Sequence, residues 1–244
     1  MIAALPMYDW PERRAEVDAQ WVVVRDFLRA RSVEAPEALT RETGDLLEFW
    51  KRSDLLFSQT CWGPMEEGLA DFVQVLGQPR YDGVVGGRGE LYSSAIVMRR
   101  EDAESDTDVP APEDGRARLP LDLMRGLRLA YNVPDSLSGF IGISRDLQAA
   151  GSGVGIFSRL VETGGHRASI RAVSSGSADI AAIDCLSWKL ARKYEPPARG
   201  LAVVGWTGKR KGLPFITAKD TPAEVVAALR DALESSGLTR VRAC

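Results

Sequence analysis

The chain has 244 residues, 45% of them hydrophobic and 27% charged, with a net charge of −3. That is enough apolar material for one large core or two smaller ones, and too little positive charge for the global balance to favour nucleic acid as a partner. Cys61, Cys185 and Cys244 are odd in number and far apart, so neither a disulfide framework nor a zinc site is expected, and they read as reduced or incidental.

Residues 2–5 form a short apolar run closed by Pro6, and residues 12–31 follow with Val17, Trp21, Val24 and Leu28 at spacings of three and four, the mark of an amphipathic helix. A short helix over 43–50, starting near a Thr43 cap, and a buried strand over 54–57 come next. Strands are predicted over 70–76 and 92–98, separated by a turn carrying Gly83, Gly86, Gly87 and Gly89. Residues 101–118 are acidic at first, proline-bearing and without apolar periodicity, and read as an exposed excursion. From residue 127 the pattern restarts: strand 127–131, helix 139–149, strand 154–160, helix 166–174, strand 179–183, helix 186–193 and strand 201–205. A last helix over 222–235 follows Asp220 and Thr221, either of which would cap it, with Pro222 near its first position. Alternating strands and helices of this kind predict α/β architecture with parallel sheets.

No stretch reaches the roughly 18 unbroken apolar residues of a membrane span. The first ten residues show neither a basic start nor a long apolar run, so the chain reads as cytoplasmic, or as periplasmic if a leader has been removed.

Two segments carry the chemistry. At 131–139, Tyr-Asn-Val-Pro-Asp-Ser-Leu-Ser-Gly, a strand runs out at a proline and a Ser/Gly turn opens a helix. Unpaired amides, hydroxyls and the helix dipole make this an anion site in principle, while the plain alternative makes Ser138 an N-cap. At 163–167, Thr-Gly-Gly-His-Arg, the same geometry is predicted again. Arg167 in a first helical turn opposes the dipole at a cost of about 0.3–1 kcal/mol, which a bound anion or a neighbouring carboxylate would offset. His166, the single histidine, either donates to an anion or packs. Asp184, at a strand end, either binds a cationic group, orients His166 or caps the next helix. Tyr8, Trp10, Trp62 and Tyr92 lie at or near strand ends and line a ligand wall or belong to core and rim. Gly151, Gly153 and Gly155 lack the spacing of a dinucleotide fingerprint, Gly208-Lys209 lacks a phosphate loop around it, and no nucleophile elbow is present.

Taken in order, residues 2–8, 55–63, 91–97, 126–139, 163–173 with Gly176, and 178–184 resemble the phosphate- and phosphonate-binding family of ABC-importer periplasmic substrate-binding proteins. The resemblance implies a type 2 periplasmic-binding-protein (Venus-flytrap) fold of two α/β lobes joined by two hinge crossings, lobe I being 1–92 plus 205–244 and lobe II 93–204. It implies a small oxyanion (phosphate, phosphite or a phosphonate) bound between closing lobes, no cofactor and no metal, and an ABC permease as partner, without nucleic acid or direct membrane insertion. The implied ligand-binding residues are Ser136, Leu137 through its backbone, Ser138, Gly165 and His166, with Tyr92 facing the ligand and Asp184 accepting from an amine or a protonated oxygen. Tyr8 and Trp62 are implied for the wall of the first lobe. Leu137 stands where the family often carries a hydroxyl residue, so one side-chain donor is missing. The alternatives are an intracellular enzyme on the same fold, similar in outline to menaquinone- and thiamine-pathway proteins, and an intracellular sensor that needs a partner for output.

Overall fold

The computed structural model describes residues 1–104 and 107–239; Cys244 lies outside these. The chain divides into two compact units, Met1–Arg80 with Lys211–Cys244, and Tyr81–Arg210. The boundaries read from the sequence, after residues 92 and 204, both fall inside the second of these.

In chain order the first unit supplies β1 (Ile2–Ala4), α1 (Arg14–Arg29), α2 (Leu46–Trp50), β2 (Leu55–Gln59), α3 (Trp62–Glu66) and β3 (Val73–Gly77). The second supplies β4 (Leu91–Tyr92), β5 (Ser94–Arg99), α4 (Leu121–Met124), β6 (Arg128–Tyr131), α5 (Gly142–Ala149), β7 (Arg159–Glu162), α6 (His166–Ser174), β8 (Ile180–Asp184), α7 (Cys185–Tyr194) and β9 (Leu201–Trp206). A two-residue strand β10 (Arg210–Lys211) spans the return crossing, and β11 (Phe215–Ala218) and α8 (Ala223–Ser235) complete the first unit.

The first unit is built on a four-stranded sheet ordered β1-β2-β11-β3. On α1 the residues buried are the four picked out by spacing, Val17, Trp21, Val24 and Leu28, and they pack with Phe57, Phe215, Leu229 and Leu233 in one core layer. A second layer gathers Phe49, Trp50, Leu55, Met65, Leu69 and Ile216. Phe215 and Ile216 thus serve different layers, as the two-residue period of a strand requires.

The second unit holds a five-stranded sheet ordered β7-β6-β8-β5-β9, with a core of Ile96, Met98, Met124, Leu129, Ile143, Leu147 and Ile180. The predicted all-parallel arrangement is corrected here: both sheets are mixed. β5 runs antiparallel to β8 and β9, and β11 antiparallel to β2 and β3. Each of these strands follows a crossing rather than a helix of its own sheet, so the crossover that forces parallel pairing is absent before it.

Several local expectations change for definable reasons. Asp45, not Thr43, caps α2, its carboxylate accepting from the Glu48 amide at 3.1 Å. The strand expected over 70–76 starts only at Val73, after a 3₁₀ turn at Leu69–Asp71. The strand expected over 154–160 is a 3₁₀ turn at Val154–Ile156 followed by β7. Neither Asp220 nor Thr221 caps α8: Pro222 is its N-cap, and the Thr221 hydroxyl pairs with that of Thr217 at 2.8 Å. The excursion after β5 is tied down where it is described, since Trp206 Nε1 donates to Val109 O at 2.8 Å and Val203 N to Asp108 Oδ1 at 3.1 Å.

Candidate functional site: two helix starts in the second unit

β6 ends at Tyr131, and Pro134 stops its continuation. The chain then makes a single π-type turn, Leu137–Ile141, that leads into α5. The cap of this turn is Ser136, whose Oγ accepts from Gly139 N at 3.1 Å and from Asn132 Nδ2 at 3.3 Å. The capping role proposed for Ser138 therefore belongs to the serine two residues earlier. Gly139 is required here, because a Cβ on it would stand 2.8 Å from the Asn132 carboxamide. The amides of Leu137 and Ser138 open the turn, ahead of the first acceptor their own helix provides.

With capping assigned to Ser136, Ser138 Oγ meets His166 Nε2 at 2.9 Å. His166 is the first residue of α6, whose N-cap Gly165 offers no side chain and whose first intrahelical bond is Ser169 N to Gly165 O at 2.9 Å. The starts of two helices, each with orphan amides and a positive dipole end, are thus joined through one hydroxyl–imidazole contact. Thr163 supports the second of them, donating to Tyr131 O at 2.8 Å and lying 2.7 Å from Ser169 Oγ.

Behind His166 stands Asp184, at the end of β8 and 2% exposed. Its Oδ1 caps α7 by accepting from Leu186 N and Ser187 N, both at 3.0 Å, and its Oδ2 lies 3.2 Å from His166 Nε2. Two of the roles read for it, cap and orienter of His166, are thus filled together. Nε2 is thus shared among the Ser138 hydroxyl, the Asp184 carboxylate and the Asp184 amide, which donates toward it at 3.5 Å. Nδ1 is buried with no hydrogen-bond partner among the described residues. Burial lowers the imidazole pKa from its ordinary value and the Asp184 charge offsets this only in part, so the ring is neutral at neutral pH.

The remaining residues singled out in the sequence fall as follows. Leu137 is 4% exposed, an apolar side chain in the core that leaves only its amide for chemistry. Tyr92 is buried and stacks on Tyr81 with ring centroids 5.4 Å apart. Tyr8 and Trp62 belong to the first unit: Tyr8 is buried in the loop after β1, and Trp62 opens α3 with its indole N–H donating to Gln78 Oε1 at 3.3 Å and the Lys211 ammonium 5.7 Å over its ring. Arg167 has a counter-ion in the protein itself: it and Arg171 grip the Glu195 carboxylate, which is 3% exposed. The cation at the start of α6 therefore gives no sign of a ligand. Two contributors escaped the sequence reading. Ser94 donates through Oγ to Ser138 O at 2.9 Å and fixes the turn from β5, and Asn132 braces Ser136; both lay within segments already singled out, but neither residue was given a role.

The sequence profile described as "ABC transporter, phosphonate, periplasmic substrate-binding protein" matches residues 69–240, well over half of the chain. The chain belongs to this family. Its members are the substrate-binding components of importers: the phosphonate-binding family takes up a small anionic ligand and works with a permease, and its function is binding rather than turnover. No curated protein sequence matches the chain. Among solved structures, PhnD1 from Prochlorococcus marinus, in complex with methylphosphonate, is similar with a TM-score of 0.68 at 16% identity, covering 96% of this chain and 82% of that one. A binding-protein component of an ABC phosphonate transporter from Pseudomonas aeruginosa gives 0.63 at 16%, covering 94% and 72%. XAC2383 from Xanthomonas citri, bound to chloride, gives 0.64 at 15%, covering 98% and 89%. At such identities the likeness carries the fold, that of the type 2 periplasmic binding proteins. Among the described residues, no helix of this phosphonate-family protein is long and apolar enough to cross a membrane.

Proposed function

We propose that this protein captures a tetrahedral phosphorus oxyanion (phosphate, phosphite or a phosphonate) for an ABC importer in the periplasm, and that Ser136–Ser138 and Gly165–His166 form the part of the second unit that holds it. The observation that carries this reading is the junction of two helix starts through Ser138 Oγ and His166 Nε2 at 2.9 Å, beside a buried imidazole nitrogen without a partner among the described residues. The amides of Leu137, Ser138, His166 and Arg167 supply donors for the equatorial oxygens. Neutral His166 offers its Nδ1 to a ligand oxygen. Asp184 acts as a positioning residue, since its two oxygens are engaged with the start of α7 and with the ring. Leu137 removes one hydroxyl from the cradle, which widens the choice among phosphorus oxyanions rather than narrowing it to one.

Titration calorimetry with methylphosphonate, phosphate, phosphite, sulfate and acetate tests this. Wild type should bind a phosphorus oxyanion and discriminate against acetate. Ser138→Ala and His166→Ala should each weaken binding roughly ten- to a hundredfold, the worth of a hydrogen bond to a charged group at about 1.5–3 kcal/mol. Unchanged affinity in both variants, or equal affinity for acetate, would refute the assignment.

A further inference from the structure

A cavity of about 530 Å³ lies in the second unit among residues 116–121, α5 and residues 208–210, and its lining includes neither Ser138 nor His166. Its volume is in the range of small-molecule sites, which combine apolar walls with a few placed polar groups. Its lining is part apolar, with Leu119, Leu121 and Ala149, and part charged, with Arg116, Lys209, Arg210 and Asp146.

These charges are not equivalent. Arg210 is fully committed: Nη2 donates to Asp146 Oδ1 at 2.6 Å and Gly142 O at 3.1 Å, and Nη1 to Asp146 Oδ2 at 3.2 Å and Gly208 O at 2.6 Å. Asp146 in turn also accepts from Gly208 N at 2.9 Å. This pair is neutral and braces the 208–210 segment against α5. Arg116 and Lys209 make no ion pair and no side-chain hydrogen bond among the described residues. The Asp114 carboxylate accepts from the Arg116 amide at 3.0 Å and makes no ion pair with the Arg116 guanidinium among the described residues. The two cations are nevertheless held near each other: Lys209 N donates to Gly115 O at 2.8 Å, and the Lys209 stem packs so closely that a Cβ on Gly115 would stand 3.2 Å from its Cδ. Two cations without an ion pair, beside apolar lining residues in an open pocket, have the composition of a site for an anion with an apolar body.

We propose that this cavity is a second ligand site, taking a small aryl or short-chain alkyl phosphate or sulfonate, with the anionic head at Arg116 and Lys209 and the apolar body against Leu119, Leu121 and Ala149. Its occupant is larger and more apolar than the oxyanion assigned to Ser138 and His166.

Titration calorimetry with phenyl phosphate on the whole chain tests it, in wild type, in Ser138→Ala/His166→Ala and in Arg116→Glu/Lys209→Glu. Binding should persist in Ser138→Ala/His166→Ala. It should weaken at least tenfold in Arg116→Glu/Lys209→Glu, and also in Ala149→Trp, which fills the apolar part of the lining without touching the charges. Melting temperatures recorded alongside establish that each variant is folded. The proposal is overturned if phenyl phosphate binds Arg116→Glu/Lys209→Glu as it binds wild type, if Ser138→Ala/His166→Ala loses all binding, or if wild type does not bind it at millimolar concentration.

Discussion

Replacing His166 by glutamine turns a single buried side chain into a measurable pH dependence. The chain has one histidine, so any stability change between pH 7.5 and 5.5 that vanishes in His166→Gln belongs to it. In the folded protein, burial holds the ring neutral and lowers its pKa, with Asp184 opposing in part; in the unfolded chain it titrates near 6.5. The unfolded state therefore binds more protons in the window from about 6.5 down to the lowered folded value. Stability from this group is fully present above about pH 6.5 and is lost as the pH falls through that window, at a slope approaching ~1.4 kcal/mol per pH unit. Asp179 and Glu195 do not confuse the result. The hydrogen bond from Arg128 holds the Asp179 carboxyl far below its usual range, and for Glu195 the cost of burial is outweighed by Arg171 and Arg167. Both contributions are intact above about pH 5 and are lost only as the pH falls further, through the unfolded carboxyl values toward the lowered folded ones. Urea unfolding followed by tryptophan fluorescence at pH 7.5, 6.5 and 5.5 should show wild type losing stability toward acid and His166→Gln staying flat. Parallel pH profiles for the two proteins would refute the buried neutral ring.

Two further outcomes rest on local geometry. Ser136→Ala removes the cap of the turn that opens α5 and should cost about 0.5–2 kcal/mol in urea unfolding, whereas Ser138→Ala, which caps nothing, should cost less; a reversed order would return the cap to Ser138. Gly86→Ala should be more damaging still. Gly86 has φ +90° and a Cβ there would stand 2.4 Å from the Trp206 ring, so overpacking and a left-handed alanine together should cost at least ~2 kcal/mol, read as a lower unfolding midpoint.

The helices and the edges of the site were legible where a repeating pattern or a chain-breaking residue marked them. Val17, Trp21, Val24 and Leu28 identify the buried face of α1, and the Gly165-His166 step marks the start of α6 at the residue where the helix begins. Strand direction was not legible, because alternation of strands and helices says nothing about a strand that enters from another unit; β11, four residues beside Pro214, was passed over although the helix after it was read. The contents of the site were legible as residue types but not as pairings. Whether Ser136 or Ser138 caps the turn depends on how a π-type turn winds the backbone, and whether Arg167 faces a ligand or Glu195 depends on a residue 28 positions away. Local pattern does not encode either relation.

The position of β11 also constrains the order in which the protein can assemble. It lies between β2 and β3, so the interior of that sheet is left open until residues 215–218 have been synthesised. The intervening unit, Tyr81–Arg210, is one uninterrupted stretch of chain, and every strand of its five-stranded sheet lies within it. During synthesis it can therefore reach its native state while the N-terminal 80 residues still wait for a strand, with Phe57 and Leu76 lacking Phe215 as a neighbour. Completing that sheet is a long-range event with a high loop-closure cost, the kind that sets the slow step of folding. A chain that stops short of residue 215 should consequently retain a folded insert attached to an unfolded frame.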